Sequence, residues 1–133
     1  MNVEIKDAVN SYTNKQIISN ITALPIIGKY DLTVGSIGCW HSHRSLWSEI
    51  LEKKIGKSLI LEDDVDLVNG FKSKISSVMS QLETKNIYWD ILYVGHCFQH
   101  SPKDPPIISY PVVVQTSTSP VCTHAYAVSL SGI

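Results

Sequence analysis

The sequence predicts a mixed α/β fold: a mainly parallel central sheet with helices on its faces. Three observations predict it. A helical apolar pattern runs from about Ser36 to Leu51. A short continuous apolar run, Ser58-Leu59-Ile60-Leu61, follows it and breaks into acidic residues. A second helical pattern then leads into a second apolar run, Trp89 to Gly95. Strands and helices in alternation imply parallel strands joined by crossovers. A chain of 133 residues fits one domain, so 1–133 is read as a single unit.

Taken in order, Val3 to Val9 reads as a short strand. Residues 10 to 34 are polar and irregular, with Pro25, Gly28 and Asp31 marking turns. In the first helix Ile37, Trp40, Arg44, Trp47 and Leu51 recur at three- and four-residue steps, with Ile50 beside them. Trp40 and Trp47 are therefore expected in the core. Gly35 and Ser36 suit the N-terminal cap. Lys53 and Lys54 fall in the last turn, where cations complement the helix dipole, and Gly56 is the expected stop. The run Ser58 to Leu61 has the unbroken apolar character of a strand covered on both faces. Phe71, Ile75, Val78, Met79 and Leu82 mark one face of the second helix. After the strand Trp89–Gly95 comes a loop over 96–110, with Pro102, Pro105 and Pro106, and then two further strands, Pro111 to Gln115 and Ala125 to Leu130.

Composition excludes several classes of function. The net charge is -1 and the cations are scattered, which gives no electrostatic footing for nucleic acid or an anionic membrane surface. The N-terminal residues carry no apolar leader, and no apolar run approaches the ~20 residues that cross a bilayer. By default this places the chain in the cytoplasm, and a full-length form could belong to the secretory pathway. The sequon Asn20-Ile21-Thr22 matters only there. The three cysteines, Cys39, Cys97 and Cys122, form no CxxC pair and are read as small, mostly buried apolar side chains, with one bridge left open. Glycines 35 and 38 do not make a dinucleotide fingerprint, and no serine has a nucleophile-elbow context.

The chemistry concentrates at Glu62-Asp63-Asp64, directly after the first apolar run. Ligands of open α/β sheets bind beyond the carboxyl ends of strands. Consecutive carboxylates repel one another unless solvent or a cation compensates. Hard oxygen donors suit Mg²⁺ or Mn²⁺, whose sites commonly use one or two carboxylates and leave the rest of the shell to phosphate oxygens and water. On extended backbone alternate side chains share a side, so Glu62 and Asp64 are the pair expected to hold the metal. The alternative is an exposed acidic turn, with Asp66 solvating it. His96, just past the second strand, could contact metal or phosphate or act as a base, although a plain loop histidine is the favoured reading. His124 at the start of the last strand reads as structural.

Four blocks of the chain are familiar together. The stretch Gly35-Ser36-Ile37-Gly38-Cys39-Trp40-His41-Ser42-His43-Arg44-Ser45-Leu46-Trp47 resembles the GEIGCxxSHxxLW helix of glycosyltransferase family 25. Leu61-Glu62-Asp63-Asp64 resembles that family's LEDD strand end, Trp89 to Gly95 its WDxxxLG strand, and Thr123 to Ser129 its TxAYxxS strand. The blocks occur in the family's order over roughly residues 32 to 132. The family includes lipopolysaccharide and collagen galactosyltransferases. The resemblance implies a GT-A, Rossmann-type sandwich. It implies transfer of a hexose, galactose above all, from a UDP-sugar to a glycan or protein hydroxyl, with inversion. It makes Asp64 the metal contact, with Glu62 and Asp63 touching metal, ribose or donor sugar. Ser42 and His43 would line the donor pocket. Asp63 and Asp64 are thus the expected catalytic residues, Ser42, His43, Glu62 and His96 the donor-binding ones, and Glu62 and Asp64 the metal ligands.

Three departures accompany the resemblance. The family's NLxRRxxR stretch has no counterpart, Ser36 stands where Glu is usual, and the chain stops at Ile133, where the family continues. A truncated member, incomplete at both ends, is therefore expected, and with it a second reading: an inactive remnant serving as a binding domain. A phospho-receiver or phosphohydrolase would also place paired aspartates after a buried strand. It needs an Asp or Lys at later strand ends, where this chain has Gly95-His96 and Ser129-Leu130.

Overall fold

The computed structural model describes residues 3–14, 16, 33–97, 104–118 and 120–133. The turns expected at Pro25, Gly28 and Asp31, the sequon at Asn20, and Pro102 lie outside them. The chain divides into two compact units, Met1–Lys53 and Lys54–Ile133.

In the first unit, helix α1 spans Val34–Glu52. Thr33 is its cap: the hydroxyl accepts from the Ser36 amide at 3.1 Å, filling one of the unpaired donors of the first turn. The cap thus precedes the Gly35-Ser36 pair expected from sequence. The helix ends at the C-cap Lys53, and Lys54 takes a left-handed φ of 52°. The stop is therefore reached before Gly56, by a lysine in the conformation that usually selects glycine. The buried face carries Ile37, Gly38, His43 and Ile50. Of the expected apolar stripe, Ile37 and the flanking Ile50 are buried and Trp47 is half-buried, whereas Trp40 is 46% exposed and Leu51 45%. Trp40 stays outside with the Arg44 guanidinium 5.3 Å from its ring centroid, a cation–π contact available at the surface.

No strand forms over residues 3–10. Val3 and Ile5 are exposed, so alternation there has no apolar face to bury. Backbone contacts with α1 take the place of a ladder. The Val9 amide donates to Ser42 Oγ at 2.8 Å, that hydroxyl donates to the Gly38 carbonyl at 2.9 Å, and Ser11 Oγ donates to the Val34 carbonyl at 2.5 Å. Gly38 permits the approach, because a Cβ there would lie 2.8 Å from the Val9 carbonyl oxygen. Glu49 accepts from Lys53 Nζ at 2.5 Å and Lys6 Nζ at 2.7 Å. These hydrogen bonds, the Lys53 one first, hold its carboxyl down at about 2.

The second unit contains β1 (Lys57–Leu61), helix α2 (Phe71–Thr84), β2 (Ile91–Gly95), β3 (Ala125–Ser129) and a closing 3₁₀ turn, Leu130–Gly132. The strand order is β1-β3-β2, and both pairings are antiparallel. This corrects the expected mainly parallel sheet. The strand–helix–strand order is present, and β1 and β2 do run in the same direction, since each opposes β3. The last strand inserts between them. An apolar run reports that a strand is buried and is silent about its neighbour. β3 is buried at all five positions, whereas β1 and β2 flank it half-exposed. The strand expected over Pro111 to Gln115 is a loop held by one isolated bridge, Ile108 to Val114, after a cis Tyr110–Pro111 peptide.

Helix α2 ends in a Schellman motif. The Ile87 amide donates to the Leu82 carbonyl at 2.9 Å and Asn86 to Glu83 at 3.0 Å, with Asn86 at φ 53°. Ile87 thereby folds back onto Leu82. Val78, Leu82 and Ile108 form the core, packed by Met79, Trp89, Leu92 and Val114. Lys85 Nζ and Gln81 Nε2 donate to the carbonyls of Ile107 and Tyr110, each at 2.8 Å, and tie the loop to the helix.

Candidate functional site

The sheet's directions decide which residues meet. Because β1 and β2 run alike, their carboxyl ends lie at one end of the sheet. β3 begins there: Ala125 is opposite Leu61 on one side and Gly95 on the other. Glu62, His96, Cys97, Thr123 and His124 therefore gather at this end.

Glu62 is fixed twice. Its amide continues the ladder by donating to the His124 carbonyl at 2.8 Å. Its carboxylate Oε1 accepts from the Thr123 hydroxyl at 3.1 Å. Its side chain is half-buried, whereas Asp63 and Asp64 are exposed in a turn that follows at once. Extended backbone stops at Glu62, so strand alternation does not pair Glu62 with Asp64. The three carboxylates do not converge on one point within 4.8 Å. Chemically the donor set suits Mg²⁺ or Mn²⁺ held by one or two carboxylates, with the remaining positions left to phosphate and water. His96 is exposed immediately beyond β2.

Ser42 and His43 belong to the first unit, on α1. The Ser42 hydroxyl is engaged with the Val9 amide and the Gly38 carbonyl, and His43 is buried at 8% exposure. A shallow depression of about 510 Å³ along α1, lined by His41, Arg44, Ser45, Ser48 and Glu49 among others, contains none of the expected site residues.

Sequence reasoning assigned no role to Thr123, the residue that orients Glu62. Its place in the Thr123-His124-Ala125-Tyr126 block was the signal available. It also read the cysteines as mostly buried. Cys39 is an exposed free thiol, and Cys97 and Cys122 form a disulfide with Cα atoms 5.7 Å apart. A separation of 25 residues carries no pairing signal in one sequence.

Comparison with known proteins agrees with the motif blocks. Residues 1–132 match the family pattern described as glycosyltransferase family 25 (LPS biosynthesis protein). A Homo sapiens protein named inactive glycosyltransferase 25 family member 3 is 30% identical over 135 residues, covering 96% of this chain and 22% of that protein. Procollagen galactosyltransferase 2 of Mus musculus is 31% identical over 101 residues, covering 76% of this chain and 16% of that protein. The chain spans about a fifth of the length of the curated relatives it matches. No described helix is long and apolar enough to cross a membrane. A family match over nearly every residue leads to one conclusion: this chain belongs to glycosyltransferase family 25.

Proposed function

We propose that the chain carries the donor-side acidic element of a hexosyltransferase, within a GT-A-like fold, using a UDP-sugar (UDP-galactose first among the candidates) and a glycan or protein hydroxyl acceptor. The observation that carries this reading is Glu62-Asp63-Asp64 at the carboxyl end of β1, with Glu62 oriented by Thr123, in a chain that matches the family over residues 1–132. Asp64 and Glu62 are the metal ligands of this proposal. A divalent cation bound there would neutralise the charge that develops on a departing diphosphate. The Thr123 hydroxyl donates to the Glu62 carboxylate and helps to orient it. Asp63, the other carboxylate of the cluster, would accept hydrogen bonds from ribose or sugar hydroxyls. His96 lies at the same end of the sheet and suits a phosphate contact. Ser42 and His43 take their donor-side role from the motif alone.

Titration calorimetry with UDP-galactose tests this, with and without Mn²⁺. Binding is expected to require Mn²⁺ and to fall at least about tenfold in Asp64→Ala, which is ~1.4 kcal/mol. Equal binding by parent and variant removes Asp64 from the site.

A second reading is favoured by the names of several relatives, which are called inactive: binding of the sugar nucleotide without turnover. Release of UDP in the presence of acceptor separates the two. Mn²⁺-dependent binding without UDP release supports the remnant.

A further inference from the structure

Next to the acidic turn, the same end of the sheet holds a second cluster with different chemistry. The Cys97 and Cys122 sulfurs and a ring nitrogen of His124 all lie within 4.8 Å of one another. We propose that these residues form a redox-gated site for a thiophilic divalent cation of the zinc class, closed by the disulfide and opened by a dithiol reductant.

Geometry supports the ligand set. Tetrahedral zinc, with Zn–S about 2.3 Å and Zn–N about 2.0 Å, holds its ligand atoms roughly 3.5–3.8 Å apart. Cys97 Sγ and His124 Nδ1 are 4.0 Å apart, so that pair needs only a small approach. Once the S–S bond is broken, the sulfurs can part to the same spacing. Three protein ligands leave the fourth position to water, as in open zinc sites. Thiolate and imidazole select zinc-like cations, whereas Mg²⁺ and Mn²⁺ prefer the carboxylates next door.

The surrounding backbone is shaped around this cluster. The register slips between Tyr93 and Gly95, so a bulge re-aims the end of β2 just before Cys97. Gly95 lies against the imidazole: a Cβ there would sit 2.7 Å from His124 Nε2 and 2.9 Å from Cδ2. Only glycine at this position lets the ring stand where Nδ1 faces Cys97. Cys122 is held at φ 76°, a left-handed conformation costing a non-glycine residue about 1–2 kcal/mol. Such outliers persist where the surroundings over-determine them. Two backbone hydrogen bonds that do not involve sulfur hold the frame, Cys97 amide to Val121 carbonyl at 3.0 Å and Glu62 amide to His124 carbonyl at 2.8 Å. These backbone bonds share with the disulfide the work of holding the cluster in place.

The exchange balances. A dithiol reductant gives two electrons and two protons to the Cys97–Cys122 bond, which breaks to two thiols while the reductant closes to its own disulfide. Binding of the cation then releases those two protons as the sulfurs ligate. Oxidation by a disulfide acceptor re-forms the S–S bond and expels the cation.

The test uses the whole chain with Cys39→Ser, which removes the exposed third thiol, and Co²⁺ alone as probe. Reduced by a phosphine, the protein is expected to take up one Co²⁺ with thiolate-to-cobalt charge-transfer bands and tetrahedral d–d bands, and Zn²⁺ should bleach both. The disulfide form is expected to show neither. His124→Ala should weaken Co²⁺ binding at least about tenfold, a scale reached even by residues that act on a metal indirectly. If the alanine variant does not fold, His124→Asn decides, with the same loss expected. Uptake by the oxidised protein equal to the reduced, no uptake by the reduced protein, or undiminished affinity in the His124 variant would each overturn the proposal. So would a reduced protein that loses its far-UV circular dichroism and does not regain it with Zn²⁺. Uptake is scored by the thiolate-to-cobalt bands, which Co²⁺ on carboxylates does not give, so the outcome is independent of the carboxylate site.

Discussion

The Cys97–Cys122 bond should be the largest single covalent contribution to the stability of the second unit. It closes a loop of 25 residues. In the chain-entropy description, cross-linking removes about 2.1 + 1.5R ln n cal/mol/K from the unfolded ensemble. For this loop the sum is about 11.7 cal/mol/K, or roughly 3.5 kcal/mol at 25 °C. The perturbation is Cys97→Ser with Cys122→Ser, measured beside the phosphine-reduced parent. A chelator is present so that no cation replaces the bond. Urea unfolding followed by circular dichroism reads the change. With slopes of about 1–3 kcal/mol/M, the midpoint should fall by roughly 1–3.5 M. Cys39→Ser, at an exposed free thiol, should leave the midpoint unmoved within about 0.5 kcal/mol. A double variant whose midpoint matches the parent would refute the loop-closure reasoning, because the cross-link would then remove no entropy from the unfolded chain.

Leu82 is 2% exposed in the core, so Leu82→Ala should cost about 2–5 kcal/mol by urea unfolding, whereas Leu51→Ala, at 45% exposure, should cost far less. A Cβ on Gly132 would lie 2.5 Å from Asp90 Cα and 2.7 Å from its carbonyl oxygen, so Gly132→Ala should cost about 1–3 kcal/mol; nothing lies within 4 Å of one on Gly56, and Gly56→Ala should not lower the melting temperature. The Glu49 carboxyl is lowered from 4.5 to about 2, so its ion pairs contribute above pH 4.5 and are lost as pH falls toward 2. Glu49→Gln should flatten stability against pH in that window at low salt, and the difference from the parent should shrink in 1 M NaCl; an unchanged acid slope in the variant would discount the pairs.

Local pattern alone was enough for α1 and α2 and for three of the five expected strands. α1 and α2 lie where the apolar steps placed them, and β1, β2 and β3 lie within the apolar runs. The four motif blocks were enough for the family. Caps and stops were less legible, because Thr33 and Lys54 do work that the expected Gly35-Ser36 pair and Gly56 could also have done. Trp40 was misjudged because an aromatic at helical spacing can be covered by Arg44 as well as by a core.

Helical periodicity, buried runs and the acidic exit of β1 depend on near neighbours in the chain and are legible from the residues. Tertiary structure alone decided the insertion of β3 between β1 and β2, the meeting of Thr123 with Glu62, and the pairing of Cys97 with Cys122 beside His124. Those contacts join residues far apart in sequence, and their choice rests on which strand can cover both edges of another, a competition among distant segments that no local pattern records.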